Sequence, residues 1–534
     1  MRILNFFIKN HFNILILTLS IILIILNSDN LSIIYLRNHS IDEWAFYGVW
    51  NKMYNGILEF NLKEIFSFTF YSYGFLYFGF YLIILLPGFI FDNPETVVFT
   101  GRIVNSAFAL ISLVFIHKIL SQQIDRIKAT ISFFFIISFP SFWKTSLWNH
   151  PDWMMIALSI ISIYFIIKDR YRFEKYFNIS VFFWALAVTV KIQALNFSVL
   201  YFFYFITFFL KEKNFKARLT LLYKLIRPSF IFLITFFSIN AYLFHPLGFK
   251  AFQKSFITSV NSTNTAHFTF NEYSVKQKFE LVISEYFFDY HFLILFMIIL
   301  GVYFIKSNKH EDIIAQSVYG FIFFWLLYLL LKVNNIWDHY YLIGFVLLPI
   351  ALTPILKIKS KSIFIIFTII IFINLLNLSF NFHNKVLQSH DIAKVNDYKK
   401  NELTKIVDFI NEDLKKFNST PFYNILISPY LPFDLDSNNL NYQNIHLIYG
   451  NIQEYMFNEK AHIKKYNNRD FVKKDFILLS KKDDYFNSSL NKDKTQDNNF
   501  IDSVKLVNTL ISGNGEYIVL NQNEYYYLLK LKEK

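Results

Sequence analysis

Long apolar runs alternate with short basic segments over the first 380 residues, and the pattern changes abruptly after Phe380. A helix crossing a hydrocarbon layer of ~30 Å needs roughly 17 to 25 mostly apolar residues. Such runs fall near 13–36, 97–117, 130–148, 152–167, 178–193, 194–210, 228–247, 286–305, 313–331, 339–356 and 362–380. They predict eleven transmembrane helices. A further run at 71–91 differs: its first half reads YSYGFLYFGFY, and it ends soon after Pro87-Gly88. Aromatic rings with polar edges favour the membrane interface, so this run reads as an interfacial segment that does not cross.

The basic residues support that choice. With the N-terminus inside and 71–91 not crossing, the inner segments 1–12, 118–129, 168–177, 211–227, 306–312 and 357–361 hold 20 Lys+Arg against 6 Asp+Glu. The outer segments before residue 381 then hold 11 against 13. If 71–91 crossed, every later loop would change sides and the basic clusters would face outward, against the positive-inside rule. The reading is therefore a long outer loop at about 37–96 and a C-terminal region outside. Arg2 and Lys9 precede the first apolar run as in a signal sequence, but NSDNLSIIYL follows with no small-residue cleavage site, which points to an uncleaved anchor.

Composition agrees. Hydrophobic residues make up 54% of the 534 and charged residues 17%, against about 25% charged in a soluble globular domain. Mean hydropathy is +0.34. The absence of Cys excludes disulfides, thiolate metal sites and a cysteine nucleophile. The net charge of +13 does not mark a nucleic-acid binder, because the excess sits in short clusters between apolar runs rather than along one face.

Beyond residue 380 the chain holds 21 Lys+Arg and 20 Asp+Glu. A helix is predicted over 397–416, with Leu403, Ile406, Ile410 and Leu414 on one face. Short apolar runs at 424–428, 445–449, 476–480, 517–520 and 525–531 predict strands, separated by turn-prone stretches such as 487–499. The fold class is thus a polytopic α-helical membrane protein (1–380) with a small C-terminal extracytoplasmic α/β domain (381–534). No internal repeat or glycine-rich phosphate loop is visible.

Four places carry candidate chemistry. HSIDEWAFYG at 39–48 sets Asp42 and Glu43 side by side just after the first span, where a carboxylate pair can act as a general base or hold a divalent cation; a solvated acidic pair at a helix end is the plain alternative. WNHPDWMM at 148–155 places His150 and Asp152 around Pro151 on the same predicted side, although a Pro-led helix start with Asp near its positive end explains it equally well. Arg102, Lys144, Lys191 and Lys332 are cations at outer span ends, against the topology bias. Either a lipid phosphate holds them or they snorkel to the interface. NNIWDHYYLIGFVLLP at 334–349 offers His339, Tyr340 and Tyr341 to a phosphate or sugar, or as interface anchors. All four converge on one side of the membrane, as one outward-facing site would require.

With those residues in hand, the chain resembles the integral-membrane glycosyltransferases of the GT-C class. It is similar to the polyprenyl-phosphate-sugar-dependent branch: protein O-mannosyltransferases (glycosyltransferase family 39), bacterial aminoarabinose transferases of lipid A, and RgtA/B/C/D-like enzymes. The resemblance runs in order through Asp42-Glu43, YGFLYF at 73–78, GRIVNSAFALISLVF at 101–115, HPD at 150–152, TVKIQAL at 189–195 and HYYLIGFVLLP at 339–349, covering most of residues 1–360. It implies inverting transfer of a sugar from a polyprenyl-phosphate donor to an envelope glycan, lipid or protein acceptor outside the membrane, with no nucleic acid involved. Asp42 is then the catalytic base, Glu43 its companion or a cation ligand, and Asp152 the acidic residue of the second outer loop. Arg102, Lys144, His150, Lys191, His339 and Tyr340 are candidates for holding donor phosphate or sugar. No cofactor is implied with certainty, and metal dependence stays open. The competing readings are a lipid-linked glycan polymerase or ligase and a transporter or flippase. The former would place Arg and His in a large later outer loop, yet 248–285 contains Lys250, Lys254, His267, Lys276 and Lys278 but no Arg. The latter would show midplane helix breaks or paired repeats.

Overall fold

Proline, asparagine and aspartate at the run ends decide where the helices start. In a computed structural model, Asn93 accepts a hydrogen bond from the Thr96 N–H just ahead of Pro94, and Asp125 caps Lys128 in the same way. The structure describes residues 2–29, 31, 36, 40–66, 73–246, 248–253, 257, 273–306, 312–333, 337–357, 361–382, 385–386, 400–416, 423–427, 442–447, 476–480, 517–523 and 525–532. Residues 71–72, Lys254, His267, 334–336, 397–399 and 487–499, all invoked above, lie outside them, as do the side chains of Arg2, Lys9 and Leu403. The chain divides into two units, residues 1–31 with 45–390 and residues 32–44 with 391–534.

The helices are α1 (Arg2–Asn27), α2 (Ile41–Leu58), α3 (Phe75–Ile90), α4 (Pro94–Ser121), α5 (Arg126–Ile137), α6 (Pro140–Ser146), α7 (Asp152–Asp169), α8 (Lys175–Val190), α9 (Ser198–Lys211), α10 (Phe215–Lys224), α11 (Ile226–Ile239), α12 (Tyr290–Lys306), α13 (Ile313–Lys332), α14 (Asp338–Ala351), α15 (Lys361–Phe382) and α16 (Lys400–Lys415). Among the described residues, six helical segments are long and apolar enough to cross a membrane: Pro94–Ser121, Ile192–Leu210, Phe215–Ile239, Ile313–Lys332, Asp338–Lys357 and Phe364–Phe382. Four apolar helices are shorter: His11–Asn27, Phe75–Ile90, Lys175–Val190 and Tyr290–Ile305. The protein is an integral membrane protein.

Several expected spans have different limits; the run 228–247, for one, is α-helical only to Ile239. The first helix stops at Asn27 instead of reaching 36, and the Asn27 amide donates to Leu23 O and Ser106 Oγ, both at 2.8 Å. The run 130–148 is two helices. Phe139 is extended (ψ 125°) ahead of Pro140, and the Trp143 indole donates to the freed Ile137 carbonyl at 2.8 Å. A side-chain donor of this kind is what makes a break tolerable in an apolar setting.

The core lies where α7 packs along α8 and α4 and where α14 meets α13. Every residue of α14 is buried, as expected for a helix apolar on nearly all sides. The short α3 is fastened at both ends: the Gly74 N–H donates to Val190 O at the end of α8 (2.9 Å), and Gly88 packs on Val97 in the first turn of α4.

In the second unit, β1 (Tyr423–Ile427), β2 (Tyr442–Leu447), β3 (Phe476–Ser480), β4 (Tyr517–Gln522) and β5 (Tyr526–Leu531) form one sheet in the order β2-β1-β3-β5-β4. The β1 pairings with β2 and β3 are parallel; those of β5 with β3 and β4 are antiparallel. Ile406, Ile410 and Leu414 of α16 are buried, as the helical spacing requires.

Candidate active site

The break before Pro140 and the start of α7 leave a short polar connection, residues 147–151, buried in the bundle. Its carbonyls are served by α4: Asn105 donates to Thr145 O and Trp148 O, and Ser106 Oγ to Ser146 O at 2.7 Å. The Tyr77 hydroxyl of α3 donates to Asn149 Oδ1 at 3.2 Å. Buried loop backbone must be paired in this way, and the result fixes His150 and Asp152 at the start of α7.

A second break brings the partner. Helix α8 stops at Val190; Lys191 is extended (φ −151°, ψ 123°) and pairs with Tyr73 in an isolated bridge before the 3₁₀ turn Ile192–Phe197. Its ammonium reaches Asp152 Oδ1 at 2.7 Å, with both side chains buried. The same ammonium sits 5.4 Å from the Tyr73 ring centre and 5.6 Å from that of Tyr340. Cation–π contacts and an ion pair together replace its lost hydration.

The other Asp152 oxygen, Oδ2, lies 2.7 Å from His150 Nδ1. The His150 ring stacks on Trp148 (4.2 Å between centres, 13° between planes) and sits 5.1 Å from His339, which stacks in turn on Trp337. Phe46 of α2 and Tyr73 close on His150 at 5.7 Å each. The start of α14 is anchored separately: Asp338 accepts from Lys144 Nζ at 2.9 Å and Ser141 Oγ at 2.7 Å, and Lys144 lies over the Tyr286 ring. Beside the cluster a small cleft is walled by Met155, Gln193, Asn196, Phe197, Phe321, Trp325 and Ile343, with His339 and Tyr340.

The structure therefore brings His150, Asp152, Lys191, His339 and Tyr340 together. Lys144 belongs one step away, on Asp338. Arg102 is buried and donates to the Asp29 carbonyl at 2.9 Å. Lys332 is exposed at the end of α13. Tyr341 is fully buried, which rules out interface anchoring for it. Asp42 and Glu43 occupy the first turn of α2, where carboxylates favour the helix's positive end, and Glu43 is buried. Among the described residues, one group of three or more has metal-binding side chains close enough to share an ion, namely His150, Asp152 and His339; Glu43 is not in it. Sequence reasoning passed over Asp338, Tyr73 and Trp148. Asp338 had the clearest signal, an acid opening a helix that is otherwise apolar.

No family sequence model matches the chain, and no curated protein sequence matches it. Solved structures do. The chain is similar to ArnT from Cupriavidus metallidurans in the apo state, with a TM-score of 0.54 and 9% identity over 98% of each chain. It is also similar to the same protein bound to undecaprenyl phosphate, with a TM-score of 0.50 and 8% identity over 97% of this chain and 98% of that one. The chain therefore has an ArnT-like fold along nearly its whole length.

Proposed function

We propose that the protein is an inverting glycosyltransferase that moves a sugar from a polyprenyl-phosphate donor to an envelope glycan, lipid or protein acceptor on the outer side of the membrane. The observation that supports it best is the buried Asp152–Lys191 pair, with His150 and His339, beside an apolar cleft in a GT-C-like fold. ArnT, of the same fold, has been crystallised bound to undecaprenyl phosphate. In this reading the phosphate sits near Lys191 and Arg102. Asp42, in the first turn of α2, is assigned as the base.

The step is a single displacement. Asp42 takes the proton of the acceptor hydroxyl as its oxygen attacks the anomeric carbon. The carbon–oxygen bond to phosphate breaks with inversion, and polyprenyl phosphate leaves with its developing charge met by the cations. Asp152 orients Lys191, and the Lys144–Asp338 pair holds the start of α14 so that His339 and Tyr340 face the cleft. The test is transfer of radiolabelled sugar from polyprenyl phosphate by the purified chain, with envelope glycans and lipids compared by mass spectrometry in cells with and without it. No transfer to any acceptor class and unchanged envelope composition would refute the proposal.

A further inference from the structure

We propose that His150, Asp152 and His339 form a binding site for one divalent transition-metal ion, with zinc the best match. Each residue offers one ligand atom, and these atoms lie within 4.8 Å of one another. Two imidazole nitrogens and one carboxylate oxygen, with a fourth position open, make a set that suits zinc or cobalt and poorly suits magnesium or calcium, which prefer all-oxygen shells.

The unmet bonding needs of these groups point the same way. His150 is 1% exposed, Asp152 2% and His339 8%. Nε2 of the buried His150 has no hydrogen-bond partner, and its Nδ1 and Oδ2 of Asp152 have only each other, at 2.7 Å. Buried polar atoms are rarely left so. A metal ion bound between them would satisfy both residues at once.

The surroundings resemble the outer shell of a metal site. Asp152 divides its oxygens, Oδ1 to Lys191 and Oδ2 toward the histidines. The lysine therefore orients the carboxylate without occupying the ligand oxygen, as outer-shell partners do. Trp148 and Trp337 stack on the two histidines and hold their ring planes. A bound ion would act as a Lewis acid toward an anionic oxygen at the cleft. The site does not depend on the transferase reading.

The experiment uses the untagged full-length chain in detergent, stripped with chelator and titrated with Co²⁺. One equivalent should bind, giving the visible d–d bands of a four-coordinate nitrogen–oxygen site, and Zn²⁺ should displace it. His150→Ala and His339→Ala should each abolish the bands while the chain stays monodisperse. X-ray absorption at the zinc edge of wild-type protein needs no variant and should show two imidazoles at roughly 2.0–2.1 Å. Absence of stoichiometric cobalt, bands kept in both variants, or a zinc shell without imidazole would each overturn the proposal. A chain that binds the ion but transfers no sugar would keep this site and lose the proposed function.

Discussion

Lys191 Nζ and Asp152 Oδ1, 39 residues apart in sequence, meet at 2.7 Å with side-chain exposures of 4% and 3%. Lys191 is thus neither a snorkelling lysine nor a free cation. Removing one member of a buried pair leaves the other charged and uncompensated, at a cost of about 3–5 kcal/mol. Lys191→Met should therefore destabilise the fold by that order, and adding Asp152→Asn should recover a good part of it. Thermal unfolding of the three variants in detergent gives the coupling energy. Independent, additive effects would mean that the pair contributes nothing as a pair.

The approach of α3 to the end of α8 leaves no room for a side chain at residue 74. Gly74 has an ordinary φ of −75°, so the constraint is space: a Cβ there would fall 1.7 Å from the Thr189 carbonyl oxygen. Gly74→Ala should break the Tyr73–Lys191 bridge and loosen Lys191, whereas Gly48→Ala, which meets nothing within 4 Å, should be nearly silent. Amide exchange across 187–194 distinguishes the two variants.

Much of this was legible in the chain. The long apolar runs announced helices, and the short apolar runs in the tail announced five strands, because both signals are local. HPD, TVKIQAL and HYY were also legible as separate features at span ends. The break at Phe139 was not, since apolar residues continue through it and only packing shows the helix stopping; the boundary after α8 was legible to within a few residues, at 193/194 against Val190. The pairing was not legible. Lys144 and Asp338 are 194 residues apart, and nothing local tells a lysine that binds phosphate from one that anchors a neighbouring helix. The bond from Arg102 to the Asp29 carbonyl has no local sign either.

The orientation of the chain rests on the charge count, with 71–91 read as an interfacial segment that does not cross. In the structure Gly74 meets the end of α8 and Gly88 meets the start of α4. A reporter active only in the cytoplasm, fused after Lys534, should stay silent; strong activity would reverse the assignment.

In the C-terminal unit, Asp413 of α16 accepts from the Tyr526 hydroxyl at 2.7 Å, Asn521 at 2.6 Å and Lys416 at 3.0 Å. Burial raises its pKa, but these donors outweigh burial and hold the carboxyl below the ordinary value of 3.8. A depressed carboxylate stabilises the fold at pH above its unfolded value, and that contribution is lost as pH falls through the folded one. Protection of Tyr526–Leu531 in the full chain, corrected for intrinsic exchange, should hold down to about pH 4 and decline below it. Asp413→Asn should lower protection at neutral pH and flatten that decline. An unchanged acid profile in Asp413→Asn would show that other groups set it.

Asp42 carries the most weight in the proposed chemistry. It opens α2 beside Glu43, and the proposed function makes it the general base. Asp42→Asn keeps the shape and the helix-start hydrogen bonding but removes most of the basicity. Loss of a general base lowers rate by roughly 10²–10⁴-fold, about 3 to 5 kcal/mol of barrier. Donor affinity should change little, because the phosphate is assigned to Lys191 and Arg102 instead. Glu43→Gln should also slow turnover, and because Glu43 is buried, part of its effect should appear as lost thermal stability, which the Asp42 variant should not show. Sugar transfer from radiolabelled donor and donor binding, measured on the same preparations, separate the two roles. Wild-type turnover in Asp42→Asn would leave the pair as a helix start and move the search for the base elsewhere.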